Sequence, residues 1–221
     1  MRDLISVDEA RTRAKRKLPR VAFDFIDGGS DDEVTLRENR RAFEQVELRP
    51  RQLMKVTERE QSVTVAGVPI DSPVILAPTG FARLAGNGGD LAGAVGAGRR
   101  NTIFTLSTMA THSIEEVAAV ATGPLWFQLY LVKEPSVNEQ LVERAKASGY
   151  RALVVTVDVP VLSVRERDVR NGLTVPPKLR PRTAFDMLRR PRWMRDQFPP
   201  MAFANFRDTG LISPKKAVEH A

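Results

Sequence analysis

The sequence predicts an α/β fold with a parallel sheet covered by helices, because apolar runs of strand length alternate with helical patterns from residue 73 onward. The runs are nearly continuous in apolar residues, as strands buried on both faces are. A helical pattern follows each of the first three runs, which is the order of a parallel sheet built from strand–helix units. The four expected strands are residues 73–78, 102–107, 125–131 and 152–158.

The segment before the sheet, residues 1–60, is predicted to be helical. Ser6 and Glu9 have the spacing of a capping box, which predicts a helix over residues 6–18. Two more helical pieces are expected after it. Residues 63–70 alternate in polarity around a glycine, as a small hairpin does.

The composition is typical of a folded domain and excludes several kinds of site. The chain has 221 residues, with 34 basic and 27 acidic side chains, a net charge of +7 and 42% apolar residues. It has no Cys, which excludes disulfides, thiolate metal sites and a cysteine nucleophile. Its two imidazoles, His112 and His220, are far apart and lack the spacing of a metal site, so no metal is assigned.

Polar residues stand at or just after the carboxyl end of each predicted strand. In parallel α/β folds this edge is where ligands bind, because loops and helix N-termini converge there. The sequence therefore predicts a ligand site at this edge. Single Ser and Thr residues in such places also cap the following helix, and this alternative stays open for each of them. The residues concerned are Thr79, Ser107, Thr108, Gln128, Tyr130, Thr156 and Asp158.

Positive charge is concentrated in the C-terminal quarter, where residues 165–221 hold 13 basic and 6 acidic side chains. Within residues 178–195, Arg alternates with apolar residues, a pattern that suits an anionic membrane surface. An ordinary long loop with solvated Arg side chains explains the pattern at least as well. Two aromatic residues, Phe185 and Trp193, are too few for stacking on bases, so no nucleic-acid partner is assigned. No apolar run reaches the roughly 18 residues of a spanning helix, and we expect a cytoplasmic protein, peripheral at the inner face of the membrane if it contacts one.

Several motifs, in this order and spacing, resemble the family of FMN-dependent 2-hydroxy-acid dehydrogenases and oxidases. The family includes L-lactate dehydrogenases, glycolate oxidases and mandelate dehydrogenases. The sequence resembles the lactate-dehydrogenase branch most, and mandelate dehydrogenase is similar too. The motifs are Leu18-Pro19-Arg20, Gly28-Gly29, Ala77-Pro78-Thr79-Gly80, Leu106-Ser107-Thr108, Phe127-Gln128-Leu129-Tyr130, Thr156-Val157-Asp158-x-Pro160 and Arg165-Glu166-Arg167-Asp168.

The resemblance implies a TIM (β/α)8 barrel with FMN at the carboxyl ends of the strands. It implies that Tyr130 faces the substrate and that Arg165 attracts the substrate carboxylate, for which a guanidinium offers two parallel donors. Neutral donors and a nearby cation suit a flavin, because the ring gains negative charge when it is reduced. The implied cofactor-binding residues are Pro78, Thr79 and Gly80 against the ring, and Ser107, Gln128 and Thr156 at its polar edge.

Two features depart from the family pattern. Phe25 stands where the family usually has a Tyr whose hydroxyl helps to bind the substrate carboxylate. A complete barrel takes about 250 residues, whereas four strands are counted here, so we expect an N-terminal half barrel. No residue matches the family's catalytic His: His112 is expected to be a capping or surface residue, and His220 lies next to the terminus. The sequence therefore predicts no catalytic base in this chain.

The expected organisation is one partial domain over residues 1–221. It comprises a helical segment (1–60), the hairpin with the first four barrel strands (61–171) and a basic loop region rich in Pro and Arg (172–221). The predicted activity of the parent enzyme is FMN-dependent oxidation of a small L-2-hydroxy acid, L-lactate first, with this portion alone inactive. The alternatives are a non-catalytic flavin-binding or structural remnant, or a basic fragment that binds membrane surfaces. The unpaired edges of a half barrel favour a complementary C-terminal half or a homo-oligomer as partner.

Overall fold

The computed structural model describes residues 4–55, 57–157, 163–173, 180–197 and 203–206. Asp158, Pro160 and His220, which the sequence analysis named, lie outside these ranges. The chain divides into two compact units. One comprises residues 1–61 with 161–187, and the other comprises residues 62–160 with 188–221.

The secondary structure follows the predicted order. The helices are α1 (Val7–Lys17), α2 (Arg20–Asp27), α3 (Val34–Glu44), α4 (Gly89–Gly98), α5 (Ile114–Val120), α6 (Pro135–Ala147), α7 (Glu166–Asn171), α8 (Pro181–Leu188) and α9 (Pro191–Asp196). The strands are β1 (Val63–Val65), β2 (Val68–Ile70), β3 (Phe104–Leu106), β4 (Leu125–Leu129) and β5 (Ala152–Val155). Short 3₁₀ turns lie at Ala82–Leu84 and Ala204–Phe206.

The first unit is helical, as predicted. Ser6 caps α1 by accepting a hydrogen bond from Glu9 N at 3.2 Å. The Glu9 carboxylate accepts from Ile5 N rather than from Ser6 N, so only the serine half of the predicted capping box forms. Further along the chain, Arg167 of α7 binds both Asp27 at 3.2 Å and Glu33 at 2.6 Å.

The second unit begins with the predicted hairpin. Strands β1 and β2 pair antiparallel, with Val63 opposite Ile70. The turn residues Ala66 and Gly67 both have positive φ, at 47° and 77°. Such a two-residue turn matches the twist of the flanking strands, which explains why the hairpin closes at this point.

The main sheet of the second unit is parallel, in the order β3-β4-β5. Phe104 stands opposite Leu125 and Trp126 opposite Ala152. Helices α4, α5 and α6 contribute to the apolar core that covers one face of the sheet. The core side chains with essentially no exposure include Leu106, Ile114, Val117, Phe127 and Leu141.

The predicted strand at residues 73–78 is reduced to a single pairing of Leu76 with Phe104. Leu76 N donates to Ile103 O at 3.0 Å, and Leu76 O accepts from Thr105 N at 3.0 Å. Pro73 has no N–H to donate, and the neighbouring Val74 N bonds locally to Ser72 O. The segment therefore runs beside β3 but exchanges hydrogen bonds with it at one residue.

The expectation of an ordinary long loop in the basic region is wrong for the residues that the structure describes. Helices α8 and α9 occupy residues 181–188 and 191–196, and each begins at a proline. Proline is favourable at the first helical position because the N–H it lacks has no partner there. Trp193 of α9 is buried and donates its indole N–H to Leu84 O at 2.9 Å, so this aromatic side chain belongs to the core of the second unit.

Candidate functional site

Three polar side chains from neighbouring strands form a hydrogen-bonded chain at the carboxyl edge of the sheet. The Ser107 hydroxyl donates to Gln128 Oε1 at 3.2 Å, and Gln128 Nε2 donates to Thr156 Oγ1 at 2.7 Å. Ser107 and Gln128 are only 4% and 2% exposed, so their geometry is fixed by the fold. The structure thus brings together the three residues that the resemblance placed at the polar edge of the flavin ring.

Thr108 fixes the orientation of Gln128 and was predicted only as a polar residue at a strand end. Its main-chain N–H donates to Gln128 Oε1 at 3.1 Å, and its hydroxyl donates to Gln128 O at 2.5 Å. The same hydroxyl accepts from Tyr130 N at 3.0 Å. Thr108 is fully buried, so it acts by holding its neighbours. Its position directly after Ser107 was the only signal for it in the sequence.

The capping alternative for these strand-end residues is wrong for α5. Ser113 caps that helix by accepting a hydrogen bond from Glu116 N at 3.1 Å, and the Glu116 carboxylate accepts one from Ser113 N at 2.7 Å. Ser107 instead accepts from Met109 N, inside its own loop. The hydroxyl of Ser107 therefore belongs to the strand-end site.

The predicted residues Pro78, Thr79 and Gly80 lie on the loop after the Leu76 pairing. Pro78 and Thr79 are exposed and Gly80 is half-buried. A Cβ atom at Gly80 would lie 3.2 Å from Met109 Cβ, so this loop passes close to the loop that carries Ser107. A glycine permits that approach.

Tyr130 follows β4 by one residue and is half-buried. Its main chain is held by Thr108, as described above. Tyr130 and Gln128 are two residues apart, on either side of the last residue of β4. Tyr130, which was predicted to face a substrate, thus lies two residues along the chain from Gln128, which was predicted to bind the flavin.

Phe25 and Arg165, the other two predicted substrate residues, come together within the first unit. The Arg165 guanidinium lies 4.8 Å from the centroid of the Phe25 ring. Arg165 Nη2 donates to Phe25 O at 2.5 Å and to Gly28 O at 2.8 Å, at the end of α2. Burial raises the pKa of Asp168, whose carboxylate lies 3.2 Å from Arg165 Nε. In this arrangement Arg165 satisfies carbonyl groups at the C-terminal end of α2. Its role toward a substrate carboxylate stays a prediction.

The expectation that His112 is a capping or surface residue is wrong. Its side chain is 15% exposed, and Nδ1 lies 3.2 Å from Asp90 Oδ2. Asp90 is buried and also accepts from Thr111 N at 3.0 Å and from His112 N at 3.2 Å. The contact spans 22 residues, which no local pattern signals. His112 and Asp90 fasten the loop between β3 and α5.

The described ranges contain neither a membrane-spanning helix nor a metal-binding cluster. None of the helices there is long and apolar enough to cross a membrane. Within the same ranges, no three His, Asp or Glu side chains are grouped so that they could hold a metal ion.

A polar site at the carboxyl ends of parallel strands is typical of α/β folds, and the alternation of strands and helices here is consistent with the first half of a (β/α)8 barrel. Residues 14–219 match the family model described as FMN-dependent dehydrogenase. The chain belongs to this family, whose members depend on FMN.

Similar proteins agree with this membership. The chain is 45% identical over 179 residues to an L-lactate oxidase from Nostoc sp., covering 79% of this chain and 49% of that protein. It is 43% identical over 179 residues to glycolate oxidase 1 from Zea mays, covering 81% of this chain and 48% of that protein. Its structure is similar to that of the monotopic membrane protein (S)-mandelate dehydrogenase, with a TM-score of 0.87, 32% identity and coverage of 99% of this chain and 59% of the other. The chain thus spans about half the length of the curated relatives.

The residues at the strand ends fit the polar edge of a flavin. That edge alternates acceptor atoms with an N–H donor, and it is matched by neutral groups that can both donate and accept. Ser107, Gln128 and Thr156 are such groups, and they are already aligned by their mutual hydrogen bonds. The exposed Pro78 and Thr79 leave the adjoining loop accessible to a planar ring.

Proposed function

We propose that these residues form the N-terminal half of an enzyme that oxidises a small L-2-hydroxy acid, L-lactate first, to the 2-oxo acid. The main support for this proposal is the hydrogen-bonded row of the Ser107, Gln128 and Thr156 side chains at the carboxyl edge of the sheet. The similarity to an L-lactate oxidase and a glycolate oxidase supports a small aliphatic substrate. In this proposal residues 1–221 act as one partial domain.

The proposed role of the aligned side chains is to bind and orient the flavin. Gln128 is buried and held by Thr108 on one side and Thr156 on the other, so its amide is oriented before any ligand arrives. When bound, FMN would supply the redox chemistry by accepting a hydride from C2 of the substrate. Pre-oriented neutral donors stabilise the negative charge that follows, because they need not reorganise.

On the substrate side, the proposal assigns Tyr130, Phe25 and Arg165. The Tyr130 hydroxyl would contact the substrate, while Phe25 offers only an apolar surface. Arg165 would attract the substrate carboxylate through its charge, and its bonds to Phe25 O and Gly28 O keep that charge near α2. The hydroxyl proton of the substrate must pass to a base, and we assign that role to no residue of this chain.

The first experiment measures FMN binding by the purified 221-residue chain and by two variants. Gln128→Leu removes the central amide, and Gln140→Leu is the matched control because Gln140 is exposed on α6. We expect Gln128→Leu to weaken FMN affinity about tenfold or more, the equivalent of about 1.4 kcal/mol. Gln140→Leu should bind FMN as the parent chain does. Equal affinities for all three proteins would contradict the proposed binding edge.

The same samples then receive L-lactate, glycolate or (S)-mandelate without oxygen. Bleaching of the flavin band by one of these acids would identify the substrate and would contradict the prediction that this portion alone is inactive. A bound flavin that none of them bleaches would agree with the prediction that this portion alone is inactive. A chain that takes up no FMN at all would overturn the flavin proposal for these residues.

A second candidate function is contact with an anionic membrane surface through the basic region, whose described part is residues 180–195. Phe185 and Leu188 of α8 are 62% and 65% exposed, and Arg182 lies on the same helix. Apolar side chains beside Arg suit the interface of an anionic bilayer. The similarity to (S)-mandelate dehydrogenase, a monotopic membrane protein, supports this proposal. In this proposal the protein is cytoplasmic and peripheral at the inner face.

Vesicle co-sedimentation tests the membrane proposal. We expect binding to vesicles of anionic lipid that weakens as salt is raised, and little binding to neutral vesicles. Arg182→Gln with Arg192→Gln should reduce the binding several-fold, whereas the charge-matched pair Arg16→Gln with Lys17→Gln on α1 should not. If both pairs have the same effect, the binding reflects net charge alone and the assigned region is wrong.

A further inference from the structure

Asn205 is fully buried, and both polar atoms of its side-chain amide form hydrogen bonds. Its Nδ2 donates to Ser107 O and to Thr108 O, both at 3.2 Å. Its Oδ1 accepts from Ile114 N at 3.0 Å, at the first residue of α5. One amide thus joins the first two residues after β3 to the beginning of α5.

The segment around Asn205 reinforces this connection. Ala204 N donates to Ala110 O at 3.2 Å. The Phe203 ring lies edge-on to the Phe81 ring, with centroids 4.8 Å apart. Arg144 of α6 donates to Asn205 O at 2.8 Å. Residues 203–206 are therefore anchored to the second unit on several sides and can hold the Asn205 amide in place.

The residues that Asn205 binds, Ser107 and Thr108, are also residues of the strand-end site. Ser107 and Thr108 are the residues that bind Gln128 Oε1, and Asn205 holds the carbonyl groups of the same two residues. The Ser107 carbonyl and the Thr108 N–H belong to one planar peptide group, so a shift of that carbonyl would move the N–H that binds Gln128 Oε1. The orientation of Gln128 would then change without any change in its own sequence neighbours.

We propose that Asn205 is a positioning residue that fixes the main chain of Ser107 and Thr108, and through it the alignment of Gln128 toward a flavin. This inference rests on the proposed function, because the flavin edge is its target. It differs from a role in core stability alone. A residue that only fills the core would change stability, but it would leave the properties of a bound flavin unaltered.

Two substitutions separate the contacts of Asn205. Asn205→Asp keeps an oxygen that can accept from Ile114 N but replaces the donating NH2 group with an oxygen that faces two carbonyl oxygens. Asn205→Leu removes both functions. Leu141→Ala is the matched control for stability, because Leu141 is fully buried on α6 and makes none of the site's hydrogen bonds.

Amide hydrogen exchange of the chain without flavin is the first measurement. We expect Asn205→Asp to speed exchange at Thr108, Met109 and Ala110 about tenfold or more, the equivalent of about 1.4 kcal/mol, while Ile114 keeps its protection. Asn205→Leu should also speed exchange of the Ile114 amide, because that amide loses its acceptor. Leu141→Ala should change exchange broadly, with no selective effect at residues 108–110. A uniform change in Asn205→Asp would overturn the positioning role.

The second measurement is the reduction potential and visible spectrum of bound FMN, with affinity recorded alongside. We expect Asn205→Asp to shift both signals and to weaken FMN binding about tenfold, whereas Leu141→Ala leaves them as in the parent. An unchanged potential and spectrum in Asn205→Asp would overturn the link to the flavin edge. A parent chain that binds no FMN would refute the proposed function, whereas the exchange data would still decide whether Asn205 positions the loop.

Discussion

The ion pair between Glu115 and Arg144 ties α5 to α6 through two parallel hydrogen bonds. Arg144 Nε and Nη2 each lie 2.8 Å from a Glu115 carboxylate oxygen. The hydrogen bonds from Arg144 lower the pKa of Glu115 to about 2. The pair thus favours the ionised carboxylate in the folded chain, and its contribution to stability depends on pH.

We predict that Glu115→Gln destabilises the chain by about 1 kcal/mol at pH 7, a modest value because the Glu115 side chain is half exposed. The folded pKa lies below the ordinary value of 4.5, so the stabilisation is complete above that value and is lost as pH falls toward 2. Urea unfolding at pH 7, 5 and 3 checks this, since the difference from the parent should shrink at pH 3.

Glu139→Gln, on the exposed side of α6, is the control for removing one negative charge. Its unfolding free energy should follow that of the parent at every pH. A gap between Glu115→Gln and the parent that stays constant from pH 7 to pH 3 would show that the ion pair is not its source.

Single residues of the site were predictable when a strand end carried them. Ser107, Gln128 and Thr156 follow apolar runs in the sequence, and parallel pairing brings such positions to one edge. Asn205 was not predictable, because its partners Ser107 and Thr108 are 98 and 97 residues away. His112 was misjudged for the same reason, because its partner Asp90 is buried on α4, 22 residues away. The local sequence shows only that His112 precedes Ser113, the cap of α5.

At the scale of elements, the sequence predicted helices α1 to α6 and the hairpin well because their signals are local. A cap precedes α1 and α5, and a two-residue turn that contains Gly67 closes the hairpin. The strand expected at residues 73–78 was overestimated. An apolar run predicts burial, but prolines at both of its ends limit how many hydrogen bonds it can exchange.

The basic region shows the opposite error. Residues 172–221 are rich in Pro and Arg, and a loop was expected there. Pro181 and Pro191 instead begin two short helices, because a proline is compatible with the first turn even though it breaks the interior. The burial of Trp193 could not be seen from the alternation of Arg with apolar residues, since its partner is Leu84 O, 109 residues away.

At the scale of the whole molecule, the sheet ends at β5, which pairs only with β4 among the described strands. Leu153 and Val155 of β5 are 42% and 44% exposed. An apolar strand with unpaired N–H and C=O groups favours association with another strand. This edge supports the proposal that the chain takes a complementary half, or a second copy of itself, as its partner.

We predict that the purified chain alone self-associates through the β5 edge at concentrations of tens of micromolar. Sedimentation velocity should then show species heavier than the 24.6 kDa monomer. Leu153→Lys combined with Val155→Lys should move the distribution to the monomer, because charged side chains on an edge strand oppose pairing with another strand. The same change on exposed residues of the first unit, Val34→Lys with Val46→Lys, is the matched control. Both pairs add two positive charges, so a shift in the control as large as in the β5 variant would assign the effect to general repulsion. A parent chain that sediments as a monomer would refute association at this edge.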